Sequence, residues 1–255
     1  MLAKSVLTHI NKLQQKKYRK QYEQFLVEGI KGVEDGLRSG QVEMVILEGS
    51  KRDESAYALL QKMAYKRQVE VQFCGRQDIG HIKTTQTFPG VLGICRMENA
   101  ALDEVLGGTL ICLDGIKDPG NLGTIIRTAD WFGFQNILLS GDCVDPYNDK
   151  VVRSTMGSIF HVRICKSEDF VHDLKILKNE GYTLSSFVMD GQPFEKIRIN
   201  KRQAFFFGSE SHGVSEAVEN LMDKRYTISG NGNAESLNVA ISSAIVMHTL
   251  FTQSK

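Results

Sequence analysis

Three short stretches of the 255-residue chain gather glycines with the polar and charged residue types that can bind a ligand. The first, 114–129, runs Asp-Gly-Ile-Lys-Asp-Pro-Gly-Asn-Leu-Gly-Thr-Ile-Ile-Arg-Thr-Ala. It follows an apolar run at 109–113, turns at Pro119-Gly120 and continues as an amphipathic segment that reads as a helix from Asn121. Asparagine is a good N-cap, so the unpaired amides of the first turn face outward at the C-terminal end of a strand, an edge where α/β sheets bind anions. Arg127 comes about 1.5 turns later, which brings a guanidinium towards a phosphate or carboxylate at that mouth. The bland reading of the same residues is a βα turn followed by an exposed helical arginine.

The second stretch, 205–213, is Phe-Phe-Phe-Gly-Ser-Glu-Ser-His-Gly. A fully apolar strand belongs in the middle of a sheet, and here it runs straight into Gly208. Gly208 lets the backbone approach a ligand, Glu210 is a functional carboxylate or a partner for a helix start, and His212 is a lone loop histidine, more often bystander than catalyst. The third stretch, 228–240, ends a strand in a glycine/asparagine loop, after which Ser236 or Asn238 caps a helix running to about 250. Ala240, Ser242, Ser243 and Ala244 on that helix allow close packing. Neither a Gly-x-Gly-x-x-Gly after an early strand nor a Gly-x-x-x-x-Gly-Lys-[Ser/Thr] occurs, and Gly208 and Gly213 do not fit Gly-x-Ser-x-Gly. Dinucleotide, P-loop and serine-hydrolase chemistry therefore lack support.

The elements that must position these stretches follow from periodicity. Apolar runs at 44–47, 69–73, 91–95, 109–113, 136–139, 161–165, 183–188, 204–207 and 226–228 read as strands. Helical spacing occupies 27–38, 54–65, 121–132, 168–180 and 238–251. The alternation predicts an α/β protein with mainly parallel sheets. A boundary fits the double glycine region, giving a domain at 1–98, a linker at 99–106 and a second domain at 107–255.

Charge looks uninformative until it is divided. The chain carries 31 Lys+Arg against 30 Asp+Glu, a net +1 that argues against a nucleic-acid partner. Cut after Leu106, the first part holds 16 basic and 13 acidic residues and the second 15 and 17, or +3 and −2. Residues 1–22 contain six basic residues and no acidic one, with Tyr18 and Tyr22 interleaved. Such an arm could lie along the phosphates of RNA or DNA, with Lys16, Lys17, Arg19 and Lys20 as the candidate contacts; the alternative is a solvated helix face. Five scattered cysteines without Cys-x-x-Cys leave no disulfide framework or structural zinc site, and no apolar run is long enough to span a bilayer. With no signal-peptide core either, the expectation is a reduced, cytoplasmic protein without metal or membrane partner.

The three stretches together resemble the SpoU/TrmH family of RNA ribose 2′-O-methyltransferases, in the SPOUT superfamily. Asn121, Gly123 and Arg127 match the family's first motif, Asn-x-Gly-x-x-x-Arg. Gly208, Glu210 and Gly213 match the second, and Ile228, Gly232, Ser236, Leu237, Asn238 and Val239 match the third. The resemblance covers roughly 107–253. The sequence departs from the common pattern at Ser229-Gly230 and at Ser211. Before it, the segment 25–33 (Phe-Leu-Val-Glu-Gly-Ile-Lys-Gly-Val), after a basic helix, resembles a small α/β RNA-binding domain of ribosomal-protein-like fold.

The resemblance implies a C-terminal parallel sheet with a deep trefoil knot, which topology rules would not anticipate. It also implies a homodimer and S-adenosyl-L-methionine as methyl donor. Arg127, Asn121 and Glu210 would then be catalytic, with Gly208, Ile228, Leu237, Asn238 and Ser236 holding the cofactor. Because arginine stays protonated at working pH, Arg127 is better read as a phosphate clamp that steers the 2′-hydroxyl than as a base. Ribosomal RNA is favoured over transfer RNA, and a non-catalytic RNA-binding ribosome-assembly protein is the rival from another class.

Overall fold

The structure is a computed structural model that describes residues 1–82, 87–194, 197, 202–209 and 212–253. The chain forms two compact units, one of Met1–Met97 with Asp145–His161 and one of Glu98–Val144 with Val162–Lys255.

In the first unit α1 (Lys4–Leu13), α2 (Lys16–Tyr22), β1 (Gln24–Glu28), α3 (Ile30–Ser39), β2 (Val42–Glu48), α4 (Ser55–Lys66), β3 (Glu70–Cys74), α5 (Arg76–Ile82) and β4 (Val91–Arg96) follow one another. Their sheet has the order β1-β4-β2-β3. β4 is antiparallel to β1 and β2, whereas β2 and β3 are parallel. The helical spacing expected from residue 27 runs through a real boundary: 24–28 is a strand. Gly29, at φ +95°, ends that strand and starts α3 in a conformation that side chains resist. Ile10, Leu13, Leu26, Ile46, Leu92 and Ile94 form the core between the helices and the sheet.

The segment 145–161, which lies inside the sequence of the second domain, packs in this first unit. Phe25 stands 4.7 Å from Tyr147 and 5.8 Å from Phe160, centroid to centroid. Burying an aromatic side chain of this size contributes about 1.5–3 kcal/mol. Asp145 takes the Arg19 guanidinium at 2.6 Å, with Arg19 only 3% exposed. All three contacts join positions more than a hundred residues apart, so no local pattern foreshadows them.

The second unit continues with β5 (Leu110–Asp114), α6 (Pro119–Phe132), β6 (Asn136–Leu139), β7 (Arg163–Lys166), α8 (Phe170–Asn179), β8 (Thr183–Pro193), β9 (Gln203–Gly208), α9 (Glu216–Glu219), β10 (Lys224–Thr227) and α10 (Val239–Gln253); α7 (Asp149–Thr155) belongs to the first unit. All strands of its sheet are parallel, in the order β10-β8-β9-β5-β6-β7. The central strands β5, β6 and β9 are buried along almost their whole length, as strands covered on both faces must be. Leu110, Cys112, Leu138, Leu174, Leu177 and Phe206 share one core cluster. Helix α6 follows β5 and packs against α10. All five cysteines are buried free thiols. Among the described residues no helix is long and apolar enough to cross a membrane.

Candidate active site

The C-terminal ends of β5, β9 and β10 carry the three glycine-rich stretches, and the last two of these open into one cavity of about 1160 Å³. Gly208, Ile228, Ser236 and Leu237, all expected to hold a cofactor, line it. Asn238 is not among the lining residues but lies between two that are, Leu237 and Val239. Phe187, Phe207 and Ile245 supply apolar wall.

The loop after β9 is shaped by its glycines. A Cβ at Gly208 would fall within the backbone of Gly213 and Val214, because the chain doubles back on itself there. Ser209 and Gly213 exchange both backbone hydrogen bonds, at 2.9 and 2.8 Å, and Gly213 adopts φ +67°. Gly208 was expected to make room for a ligand; the first thing it makes room for is its own loop. Glu210, the third expected catalytic residue, and its neighbour Ser211 lie outside the described residues. His212 lines the cavity, and its amide donates to Ser209 Oγ at 3.3 Å.

Asn121 does not cap α6. The helix begins two residues earlier, with Pro119 in its first turn, and the Asp118 carboxylate accepts the Asn121 amide at 2.7 Å. Proline's fixed φ suits a first helical position and aspartate is an equally good cap, so Asp118-Pro119 is the stronger start signal. The Asn121 side chain reaches instead to the third stretch: Asn238 Nδ2 donates to Asn121 Oδ1 at 3.1 Å. Asn238 Oδ1 in turn accepts from the amides of Ala240 at 2.9 Å and Ile241 at 3.4 Å, which caps α10. Those backbone donors fix which end of the Asn238 amide faces Asn121. One asparagine thus caps α10 and ties the third stretch to the first.

Arg127 is exposed on α6 and is not among the residues that line the cavity. Six residues beyond Asn121 on an α-helix is a different face as well as about 1.7 turns of rise. Trp131, one turn further along, is 82% exposed, and Ile241 and Ile245 on α10 are 52% and 37% exposed.

Sequence reasoning missed a charged group at the cavity wall. Arg225 Nε lies 2.7 Å from Glu219 Oε1 and its Nη2 lies 2.8 Å from Asp190 Oδ1, and all three residues line the cavity. Two carboxylates to one guanidinium leave this wall acidic, which suits a cationic ligand. The separations, 6 and 35 residues, have no readable spacing. Within the first stretch, Lys117 binds Asp142 at 2.8 Å; that hydrogen bond, helped by one from Ser140, holds the Asp142 carboxyl below its ordinary range. Gly115 N donates to Ser140 Oγ at 2.9 Å, fixing the loop that leads into α6.

The basic arm divides. Lys16, Lys17 and Lys20 are exposed on α2. Arg19, expected to meet RNA, is instead buried: besides Asp145 it donates to the carbonyls of Leu13 at 3.2 Å and Gln14 at 2.9 Å. A guanidinium committed to three internal acceptors is a staple of the first unit. Tyr18 and Tyr22 stack at 6.3 Å with Lys12 Nζ near both rings. Among the described residues, no group of three or more His, Cys, Asp or Glu side chains is placed to hold a metal ion.

Residues 108–248 match the SpoU rRNA Methylase family, and residues 5–93 match the MRM3-like substrate binding domain. The chain is similar to the 23S rRNA (guanosine(2553)-2′-O)-methyltransferase RlmP of Bacillus subtilis, 29% identical over 94% of this chain and 93% of the relative. An uncharacterised tRNA/rRNA methyltransferase of Archaeoglobus fulgidus is 32% identical over 58% of this chain and 66% of its own length. The crystal structure of an AdoMet-bound rRNA methyltransferase from Sinorhizobium meliloti superposes with a TM-score of 0.85 at 27% identity, covering 99% of this chain and 96% of that one.

Proposed function

The chain belongs to the SpoU rRNA methylase family, and we propose that it transfers a methyl group from S-adenosyl-L-methionine to a ribose 2′-hydroxyl of ribosomal RNA. The observation that carries this reading is the convergence of Gly208, Ile228, Ser236 and Leu237, drawn from two separate loops, on one cavity whose third neighbour, the α6 start, is tied in through Asn121 and Asn238. A relative that matches over nearly its whole length and is named a 23S rRNA 2′-O-methyltransferase favours ribosomal over transfer RNA.

The residues present fit the cofactor. Loops of glycine and serine offer main-chain groups to a nucleoside, Phe187, Leu237 and Ile245 offer apolar wall, and the acidic Asp190–Glu219 wall suits a ligand bearing positive charge. When bound, the cofactor supplies a methyl group already activated by its sulfonium. The protein's own part is placement and handling of the hydroxyl proton. Arg127 clamps the phosphate next to the target ribose and steers its 2′-oxygen. A guanidinium does this as a permanent cation and a fork of donors, whereas a base role would require losing a proton it holds at any working pH. Asn121 and Asn238 keep the α6 start and the third loop in register. Glu210 sits in the second motif and completes the catalytic set. On α2, Lys16, Lys17 and Lys20 follow the RNA backbone.

The active unit is a homodimer. Arg127 stands outside the cavity of its own chain, on a helix that also exposes Trp131, and α10, packed on α6, exposes Ile241 and Ile245. A second copy would cover these side chains and bring an Arg127 to each cavity. Sedimentation that finds an active monomer would sink this part of the reading. The C-terminal chain is threaded as a trefoil knot, a reading supported by the return from edge strand β10 to the α6 that follows central β5. The first unit has the small ribosomal-protein-like RNA-binding fold, supported by its match over 5–93. Calorimetric titration tests the function at its root: S-adenosylmethionine binds at one site per chain, and a protein that binds RNA but no cofactor would be an assembly factor instead.

A further inference from the structure

The carboxylate that ends central strand β5 has no role in the reading so far. Asp114 is only 8% exposed, and its Oδ2 accepts the backbone amide of Ser215 at 2.8 Å, across 101 positions of sequence. Its strand partner is Gly208, where the loop 208–215 leaves β9. The paired backbone bonds of Ser209 and Gly213 close the neck of that loop, and the Ser215 carbonyl accepts the amides of Val218 and Glu219 at the start of α9. The bond to Asp114 ties the amide side of the same residue to the end of β5. Between Gly208 and Ser215 lie Ser209, His212, Gly213 and Val214, all of which line the cavity, while Asp114 itself does not. Asp114 is well placed to hold anything: the next residue, Gly115, is pinned by Ser140 Oγ. A buried carboxylate is costly unless it is hydrogen-bonded, so the ion and the loop exit hold each other in place.

We propose that Asp114 is a positioning residue for cofactor binding: by accepting the Ser215 amide it holds the neighbouring cavity-lining residues Gly213 and Val214 where they receive S-adenosylmethionine, without touching the ligand. This rests on the reading of the cavity as the cofactor site. It predicts a signature in affinity and not in the chemical step.

The test uses full-length protein, titrated with S-adenosylmethionine and assayed for RNA methylation. Asp114→Ala should raise the Kd and KM for S-adenosylmethionine roughly tenfold or more, the size expected for a lost charge-assisted hydrogen bond, and leave kcat at saturating cofactor within about twofold. Asp114→Asn keeps a carbonyl acceptor and should recover affinity to within about threefold of wild type. Ser215→Pro, at a φ of −65° that proline accepts, breaks the same bond from the donor side, its Cδ standing where the amide hydrogen met Asp114. It should match Asp114→Ala, and the double variant should be no weaker than either single one, because both remove the same bond. If Asp114→Ala does not fold, Ser215→Pro with Asp114→Asn decides the matter. An unchanged KM in Ser215→Pro, a loss confined to kcat, or fully additive losses in the double variant would overturn the proposal. Wild-type protein that takes up no S-adenosylmethionine would instead overturn the reading of the cavity, a result visible before any variant is made.

Discussion

At the C-terminal edge of the second unit's sheet the cavity is lined by glycines, serines and apolar side chains, and among the described residues its ionic groups are Asp190, Glu219 and Arg225. The N-terminal unit carries its candidate contacts as lysines on α2, exposed and separate. In the proposed function the first arrangement would recognise through backbone shape, which depends on where the chain is able to go. The second would there recognise through charge, which depends only on a side chain reaching solvent. The difference decides what a substitution does. In the loops, a single added Cβ at Gly208 meets backbone. On α2, one lysine more or less changes a field that salt already screens.

Four predictions probe that contrast, in order of expected size. Arg127→Ala should lower turnover by about two to four orders of magnitude, the range expected for removing a group that orients the reacting atoms, with S-adenosylmethionine affinity within about twofold of wild type. Wild-type methylation by this variant would remove Arg127 from the mechanism. Arg19→Ala should destabilise the protein by about 3–5 kcal/mol, read by chemical denaturation, because it leaves Asp145 without its buried partner. If the loss appears in RNA affinity while stability holds, Arg19 belongs with the lysines after all.

Replacing Lys16, Lys17 and Lys20 together with alanine should weaken RNA binding and lower the slope of log K against log salt by about 2, for roughly 0.7 per phosphate contact on single strands. Thermal stability should not follow. A slope that does not move would mean these lysines are a solvated face. The smallest effect concerns Asn238→Asp, which keeps the acceptor that caps α10 but gives up the donor to Asn121. It should cost about 1 kcal/mol of stability or less, whereas Asn238→Ala loses both bonds and should cost more, with the gap measured by thermal melting.

The same contrast explains what was legible in the sequence. Gly208, Gly213 and Asn238 were readable because backbone-shaped sites demand particular residue types at fixed spacing. Their neighbourhood was only half readable: Gly208 was assigned to the ligand when it first serves its own loop, and Asn121 was taken for the cap that Asp118 provides. The Asp118-Pro119 pair carried that signal in plain view. Arg19 was misplaced because a basic residue in a basic run looks like its neighbours until Asp145, far along the chain, is found beside it. Asp114 went unremarked for the same reason, its partner Ser215 being fixed only by the order of strands. The central strands were legible as continuous apolar runs, while β1 was hidden by an apolar spacing that continued into α3. Local pattern reports what a segment is; pairing across the sheet reports what it is for.

The central claim is that the loops at the C-terminal edge hold a methyl donor for a ribose hydroxyl. Its most direct test is to incubate the protein with unmodified ribosomal RNA and S-adenosylmethionine labelled in the methyl group, then hydrolyse the RNA with alkali. Label retained in an alkali-resistant dinucleotide is the predicted result, since a 2′-O-methyl group blocks cleavage at that position. Label released entirely in mononucleotides, which marks methylation of a base, would contradict the account.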